Sequence, residues 1–232
     1  MSLQPGAFDA VFFDAGGVLV LPDPTVLAPL LQPFGGSPDL ALHRRAHYAA
    51  MAAKSRAGDD ESSWDTYNLE YVTTVGVAAN ERERAARLLG KTRTADLWRW
   101  AIPESVDALR VLESLSVPMS VVSNAAGQIE WVLNWAAICQ RGPGRGVTMR
   151  TVIDSDVVGV AKPDPRIFEF ALALHQETPR ERILYVGDSV MMDVAGSRAA
   201  GLHPVLIDPY DDHEGADSDR IHALSDLLTL FA

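Results

Sequence analysis

The chain has 232 residues, 47% of them hydrophobic, and carries 20 basic against 31 acidic side chains for a formal net charge of −11. That apolar content excludes a disordered chain, and the acidic balance argues against a nucleic-acid backbone or an anionic membrane surface as the main partner. A single cysteine, Cys139, leaves no internal disulfide, suits a reducing compartment and reads as a small buried apolar residue rather than a nucleophile.

The opening MSLQPGAFDA has no basic stretch followed by an apolar one, so it does not read as a signal peptide, and Met1 to Leu3 carry no functional argument. No segment approaches the ~18 uninterrupted apolar residues of a membrane span, and cytoplasmic residence is expected. The first β-type run, Ala10–Phe13, delivers Asp14 to a glycine-containing turn within VFFDAGGVL. Between Pro22 and Pro103 the patterns are helical throughout: Thr25–Phe34, Asp39–Arg56, Ser63–Gly76 and Asn80–Trp98, the last opened by Asn80 with Glu83 three residues on. That is far more chain than one crossover helix needs, so a helical subdomain is inserted there.

Further β-type runs follow at Val117–Val122, Thr151–Ile153, Ile183–Val186 and Val205–Ile207, with helical stripes between them. Val106, Leu109 and Leu112 make one stripe, and Ile167, Phe168, Ala171 and Leu174 another. Trp131 and Trp135, four residues apart, are expected on one buried helix face, and residues 141–150 read as a surface connection. Thr178-Pro179-Arg180-Glu181 has the capping-box pattern for a short helical turn. The acidic run Asp208 to Asp219 reads as a solvated loop without function before a last helix, Ile221–Phe231. Strand and helix in alternation predict an α/β fold with a doubly wound, parallel, five-stranded sheet. The expected division is a core of residues 1–21 and 103–232 and an insertion of residues 22–102.

Four apolar runs end in chemistry. Asp14 follows the first; Ser123 and Asn124 end VVSNA and can donate to an anionic oxygen; Gly187 and Asp188 end ILYVGD, with Asp193 five residues on. Lys162 stands just before Pro163, at the expected start of a helix. Two carboxylates in one turn beside a lone aspartate suit a hard divalent cation. A parallel sheet brings strand C-termini to one edge, so residues about 175 apart converge there.

In that order and at those intervals, the residues resemble the haloacid dehalogenase-like (HAD) superfamily of hydrolases with a helical type 1 cap, over nearly the whole chain. Asp14 matches its nucleophile motif, Ser123 its second motif, Lys162 its third, and Gly187, Asp188 and Asp193 its fourth. The resemblance implies a Rossmann-like core, a cap that selects substrates, and Mg2+-dependent hydrolysis of small phosphomonoesters through an aspartyl-phosphate. Asp14, Ser123 and Lys162 are then catalytic, Asn124 and Gly17 bind substrate, and Asp14, the Gly16 carbonyl, Asp188 and Asp193 serve the metal. The implied partner is a small phosphorylated metabolite, with neither nucleic acid nor membrane, for a monomer or homodimer.

One position departs from the pattern. Most phosphatases of the superfamily carry a second Asp two residues after the nucleophile as acid and base, and here that position is Gly16. Loss of a positioned acid costs ~10²–10⁴-fold in rate, and a positive φ would account for the glycine. The alternatives are a 2-haloacid dehalogenase-type hydrolase, which Asp188 opposes by repelling a carboxylate substrate, and a weak enzyme or pseudoenzyme that binds a phospho-ligand or a protein. In the insertion, Arg44, Arg45, His47 and Tyr48 share one helix and can present donors, the plainer reading being solvated arginines and a surface or core histidine. Trp64, Trp98 and Trp100 read as packing within the insertion.

Overall fold

The structure is a computed structural model that describes residues 3–59, 63–92 and 94–231. β1 (Ala10–Phe13) is buried at every position. A turn leads to β2 (Val20–Pro22), and the chain then enters four helices: α1 (Pro24–Leu31), α2 (Leu40–Ala57), α3 (Asp65–Thr74) and α4 (Arg82–Thr92). Asp23 and Asp39 start the first two by accepting the backbone N–H of Thr25 and Ala41. Gly58 stops α2 in the left-handed conformation that spares an L-residue's Cβ strain. These helices bury a cluster of their own, built on Leu27, Leu31, Ala50, Tyr71 and Leu89.

The helix expected to run to Trp98 stops at Thr92. Trp98–Ala101 is instead a strand, β3, paired antiparallel with β2 and so returning the chain to its point of departure. Aromatic residues suit that pleated pairing better than a helix end.

The chain continues through α5 (Pro103–Ser114), β4 (Met119–Ser123) and α6 (Ile129–Trp135). The short β5 (Cys139–Arg141) and β6 (Val147–Met149) pair with each other around the glycine-rich connection. Next come β7 (Val152–Asp154), α7 (Ser155–Val158), α8 (Arg166–Leu172), β8 (Ile183–Gly187), α9 (Ala195–Ala199), β9 (His203–Ile207), β10 (Asp219–Ile221) and α10 (Leu228–Phe231). The main sheet has the order β10-β9-β8-β1-β4-β7, and every pairing in it is parallel. β1 lies at its middle, with Phe13 opposite Val121 on one side and Val186 on the other. Coverage on both faces explains why these strands read as unbroken apolar runs. The doubly wound α/β fold is as expected.

Several local expectations need correction. The sheet has six strands rather than five, because Asp219–Ile221 pairs with β9 at Val205 to Ile207; a three-residue edge strand shows no period. Ile221 therefore ends a strand, and α10 begins only at Leu228. The preceding loop is not merely solvated: Asp208 is buried, accepts the backbone N–H of Asp212 and His213, and meets Arg220. Trp131 and Trp135 are 64% and 62% exposed and stack on each other, while Ile129, Val132 and Leu133 form the buried face of α6. An i, i+4 spacing identifies a face but not which side of it meets the core. The helix after Lys162 starts at Arg166, not at Pro163. The turn Arg180–Arg182 forms without a side-chain cap. Cys139 is buried as expected, and burial pushes its thiol up to about 12.

Candidate active site

Parallel strands all point their C-terminal ends the same way, and the polar residues singled out above sit on that edge. Asp14 follows β1 and its N–H bonds the Val186 carbonyl at 2.8 Å, which ties its backbone to β8. Ser123 ends β4 and Asp188 follows β8. Asp193 sits in a wide helical turn, Val190–Val194, and Lys162 arrives on the loop between α7 and α8. All five side chains are buried.

Lys162 is the hub. Its Nζ lies 2.9 Å from Asp14 Oδ1 and 2.7 Å from Asp193 Oδ1, and it donates to the Tyr185 hydroxyl at 2.8 Å. Burial alone would lower the Lys162 pKa, but Asp14 and Asp193 outweigh it and hold the ammonium above its ordinary value. For Asp14 the balance runs the other way: burial, with Asp193 and Asp188, pushes the carboxyl up against the pull of Lys162. Three carboxylates whose oxygens lie within 4.8 Å of one another face this single ammonium. A hard divalent cation fits such a donor set.

The three acids are not equivalent. Asp193 Oδ1 meets Lys162 and Tyr185, and its Oδ2 accepts the N–H of Asp188 and Ser189 at 3.1 and 2.9 Å. With both oxygens engaged, Asp193 ties the lysine to the Asp188 turn, while all three acids keep an oxygen within reach of one metal ion. Gly16 lines the same cavity.

Within the site, two glycines are demanded by contact. A Cβ on Gly17 would lie 1.9 Å from Asp188 Oδ2, and its φ is +68°. One on Gly187 would lie 2.2 Å from the Asp193 carboxyl carbon. Gly16 differs from the expectation: it is not among the positive-φ residues, and what its missing Cβ would meet is the Trp98 indole, at 3.1 and 3.3 Å.

The two residues expected to contact substrate also make contacts within the protein, and Asn124 lines the cavity. The Gly17 N–H donates to the Val20 carbonyl at 2.9 Å. The Asn124 carboxamide donates to the Lys162 carbonyl at 3.0 Å and accepts the Lys162 N–H at 2.8 Å, so it clamps the loop that carries the lysine. No spacing rule reports a partner 38 residues away.

The insertion contributes more than packing. His47 Nε2 lies 2.9 Å from Asp188 Oδ2, and its Nδ1 lies 2.9 Å from the Tyr67 hydroxyl. The Tyr48 hydroxyl donates to the Gly17 carbonyl at 2.8 Å, and burial raises its pKa. Arg45 forms two bonds to Asp212, at 2.6 and 2.7 Å, and Arg44 pairs with Glu104. The arginines are thus paired with the core rather than solvated. Met51, Lys54, Trp64 and Trp98 line the upper part of a cavity of about 340 Å³ whose lower part is Asp14, Ser123, Lys162 and Asp188. Tyr185 is the functional neighbour that the sequence pattern hides. Its only signal is a phenol inside a fully buried strand, where a hydroxyl requires a partner.

A parallel α/β sheet carrying an aspartate, a serine, a lysine and an acid pair on one edge defines a hydrolase of the haloacid dehalogenase type. The profile of the haloacid dehalogenase-like hydrolases matches residues 8–201, and the chain belongs to that family. Haloacid dehalogenase-like hydrolase domain-containing protein 3 of Bos taurus is 35% identical over 109 residues, 47% of this chain and 40% of that protein. The phosphoserine phosphatase of Thermus thermophilus is 40% identical over 67 residues, 29% of this chain and 26% of its own. A solved dehalogenase with an intermediate complex shares the fold at TM-score 0.58 and 18% identity, over 97% of both chains. The chain spans less than half the length of the first curated relatives it matches. No helix among the described residues is long and apolar enough to cross a membrane.

Proposed function

We propose that the protein is a metal-dependent phosphatase of small phosphomonoesters. The carrying observation is an acid at position 188 beside Asp14, with the Lys162 ammonium 2.9 Å from the Asp14 carboxylate. Asp14 attacks phosphorus, the bond from phosphorus to the ester oxygen breaks, and an aspartyl-phosphate forms that water then cleaves. Lys162 and Ser123 bind the phosphoryl oxygens, where charge spreads in the transition state. Asp193 and Tyr185 keep Lys162 aimed. Asp14, Asp188 and the Gly16 carbonyl are the groups that would hold Mg2+, whose charge offsets repulsion between an anionic nucleophile and an anionic ester. Residues 22–102 serve as a cap that shields the reaction from water. The partner in this reading is a small phosphorylated metabolite, met by a cytoplasmic monomer or homodimer.

A panel of phosphomonoesters and 2-haloacids, assayed with Mg2+ and with excess chelator, tests the proposal. Phosphate release that disappears with chelator is the expected result. Halide release without metal would replace it with a dehalogenase, and silence on every substrate would leave a binding protein.

A further inference from the structure

The position where an acid would stand is crowded by an aromatic ring. Trp98 is held on β3 by pairing with Pro22 on β2, and its indole packs edge-on against His47 at 5.5 Å and against Trp64 at 6.4 Å between centroids. That places its six-membered ring 3.1 Å from where a Cβ on residue 16 would begin. In an in-line displacement the leaving oxygen departs on the side opposite the nucleophile, which here is the upper cavity bounded by Met51, Trp64 and Trp98. Among the described residues lining the cavity, the carboxyl groups are Asp14, Asp188 and Asp193. The first is the nucleophile, the second meets His47, and the third is engaged with Lys162, Tyr185 and two amides.

Resting on the phosphatase reading, we infer that this site is selective for aryl phosphates, with Trp98 as the specificity-determining residue. Asp14 Oδ forms the new bond to phosphorus, and the bond to the phenolic oxygen breaks with its electron pair. The phenolate leaves without a proton and takes one from water afterwards. An alkyl alkoxide is too basic to leave in that way and needs the acid that Gly16 and Trp98 together exclude. The same indole, with Trp64 and Met51, offers a flat apolar wall to an aromatic leaving group.

The test compares p-nitrophenyl phosphate with glycerol 2-phosphate, both with Mg2+, in the wild-type protein, Trp98→Ala, Trp98→Phe and the double variant Gly16→Asp with Trp98→Ala. The wild type is expected to favour the aryl ester by more than ~10³-fold in kcat/KM, in line with the rate an absent acid forfeits. Trp98→Ala should lower aryl kcat/KM about tenfold, mainly through KM, as lost ring contact predicts. Trp98→Phe, which keeps a ring, should stay within about threefold and shows that a loss in the alanine variant is not misfolding. The double variant should narrow the aryl-to-alkyl ratio at least ~10-fold. Phosphate release from both esters within tenfold of each other in the wild type would overturn the inference and leave the phosphatase reading standing. So would an alanine variant that slows both esters equally. No phosphate from either ester would overturn both.

Discussion

The lower and upper halves of the cavity are built differently. Below, Lys162, Asp193 and Tyr185 are bonded to one another and to strand backbone, with the Tyr185 hydroxyl 2.9 Å from the Val122 carbonyl and both Asp193 oxygens occupied. Above, contact with the reacting acids comes through single side chains of α2, chiefly His47 on Asp188 and Tyr48 on the Gly17 carbonyl. A buried polar network with every partner present holds one geometry. The upper contacts join two separately cored parts of the chain, so each can be lost without unravelling the other. In the proposed function the lower half would set the chemistry and the upper half what reaches it.

The strongest way to break this contrast is Asp14→Asn. A carboxamide cannot form the acyl-phosphate, and phosphate release should fall more than ~10³-fold. Because the buried Asp14 carboxyl is held up by burial and two neighbouring acids, the substitution should leave the melting temperature unchanged or raised. Residual activity within tenfold of wild type would move the nucleophile elsewhere.

Tyr185→Phe is the next largest. It removes an acceptor of the Lys162 ammonium from a closed network, and a stability loss of about 1–3 kcal/mol is expected by denaturant unfolding. It should also reduce kcat by about tenfold with little change in KM, because a misaimed lysine binds the transition state less well. Loss of stability with intact kcat would reduce Tyr185 to packing.

Beneath the lower half, His175 gives a pH test. It is buried against Phe12, with its Nε2 2.8 Å from the Ser120 hydroxyl. Burial, reinforced by Arg150, lowers its pKa from 6.5 to about 4. Above the unfolded value neither state holds the proton, and the ring costs nothing. Between 6.5 and about 4 the unfolded chain binds it and the folded chain does not, so stability falls as pH falls, by up to about 3 kcal/mol. His175→Gln should flatten that limb in urea titrations from pH 7 to 4; an unchanged slope would mean that the ring titrates normally.

The smallest effects belong to the upper half. Tyr48→Phe removes one hydrogen bond and should cost about 1 kcal/mol. Arg45 and Asp212, both partly exposed, should show a coupling of about 1 kcal/mol in a double-mutant cycle, and less in high salt. A coupling above about 3 kcal/mol would mean that this pair, more than the His47 and Tyr48 contacts, holds the two parts in register.

These contrasts also mark what the sequence could tell. Asp14, Lys162, Asp188 and Asp193 were legible because each ends or follows an apolar run, and a parallel sheet gathers such ends. The helices of the insertion were legible from their helical patterns, although the one expected to open at Asn80 begins at Arg82. What stayed hidden depends on partners distant in the chain. The Asn124 clamp on Lys162 and the His47 contact with Asp188 join residues that no local pattern relates. Trp98 was assigned to a helix because its pairing strand lies some 76 residues earlier, at Pro22. Gly16 was attributed to a positive φ, which it does not have; a Cβ there would instead crowd the Trp98 ring at 3.1 Å.

The two contact-demanded glycines of the site carry a consequence for inheritance. Gly17 and Gly187 supply no side-chain atom to any reaction, yet an alanine at either would drive a methyl group into Asp188 or Asp193. Under selection for turnover, these silent positions should tolerate as little variation as the reacting acids themselves. A saturation library of this gene would then show depletion at residues 17 and 187 as deep as at residue 14, so residues recovered by such a screen would mark the walls of the reaction chamber as well as its reagents.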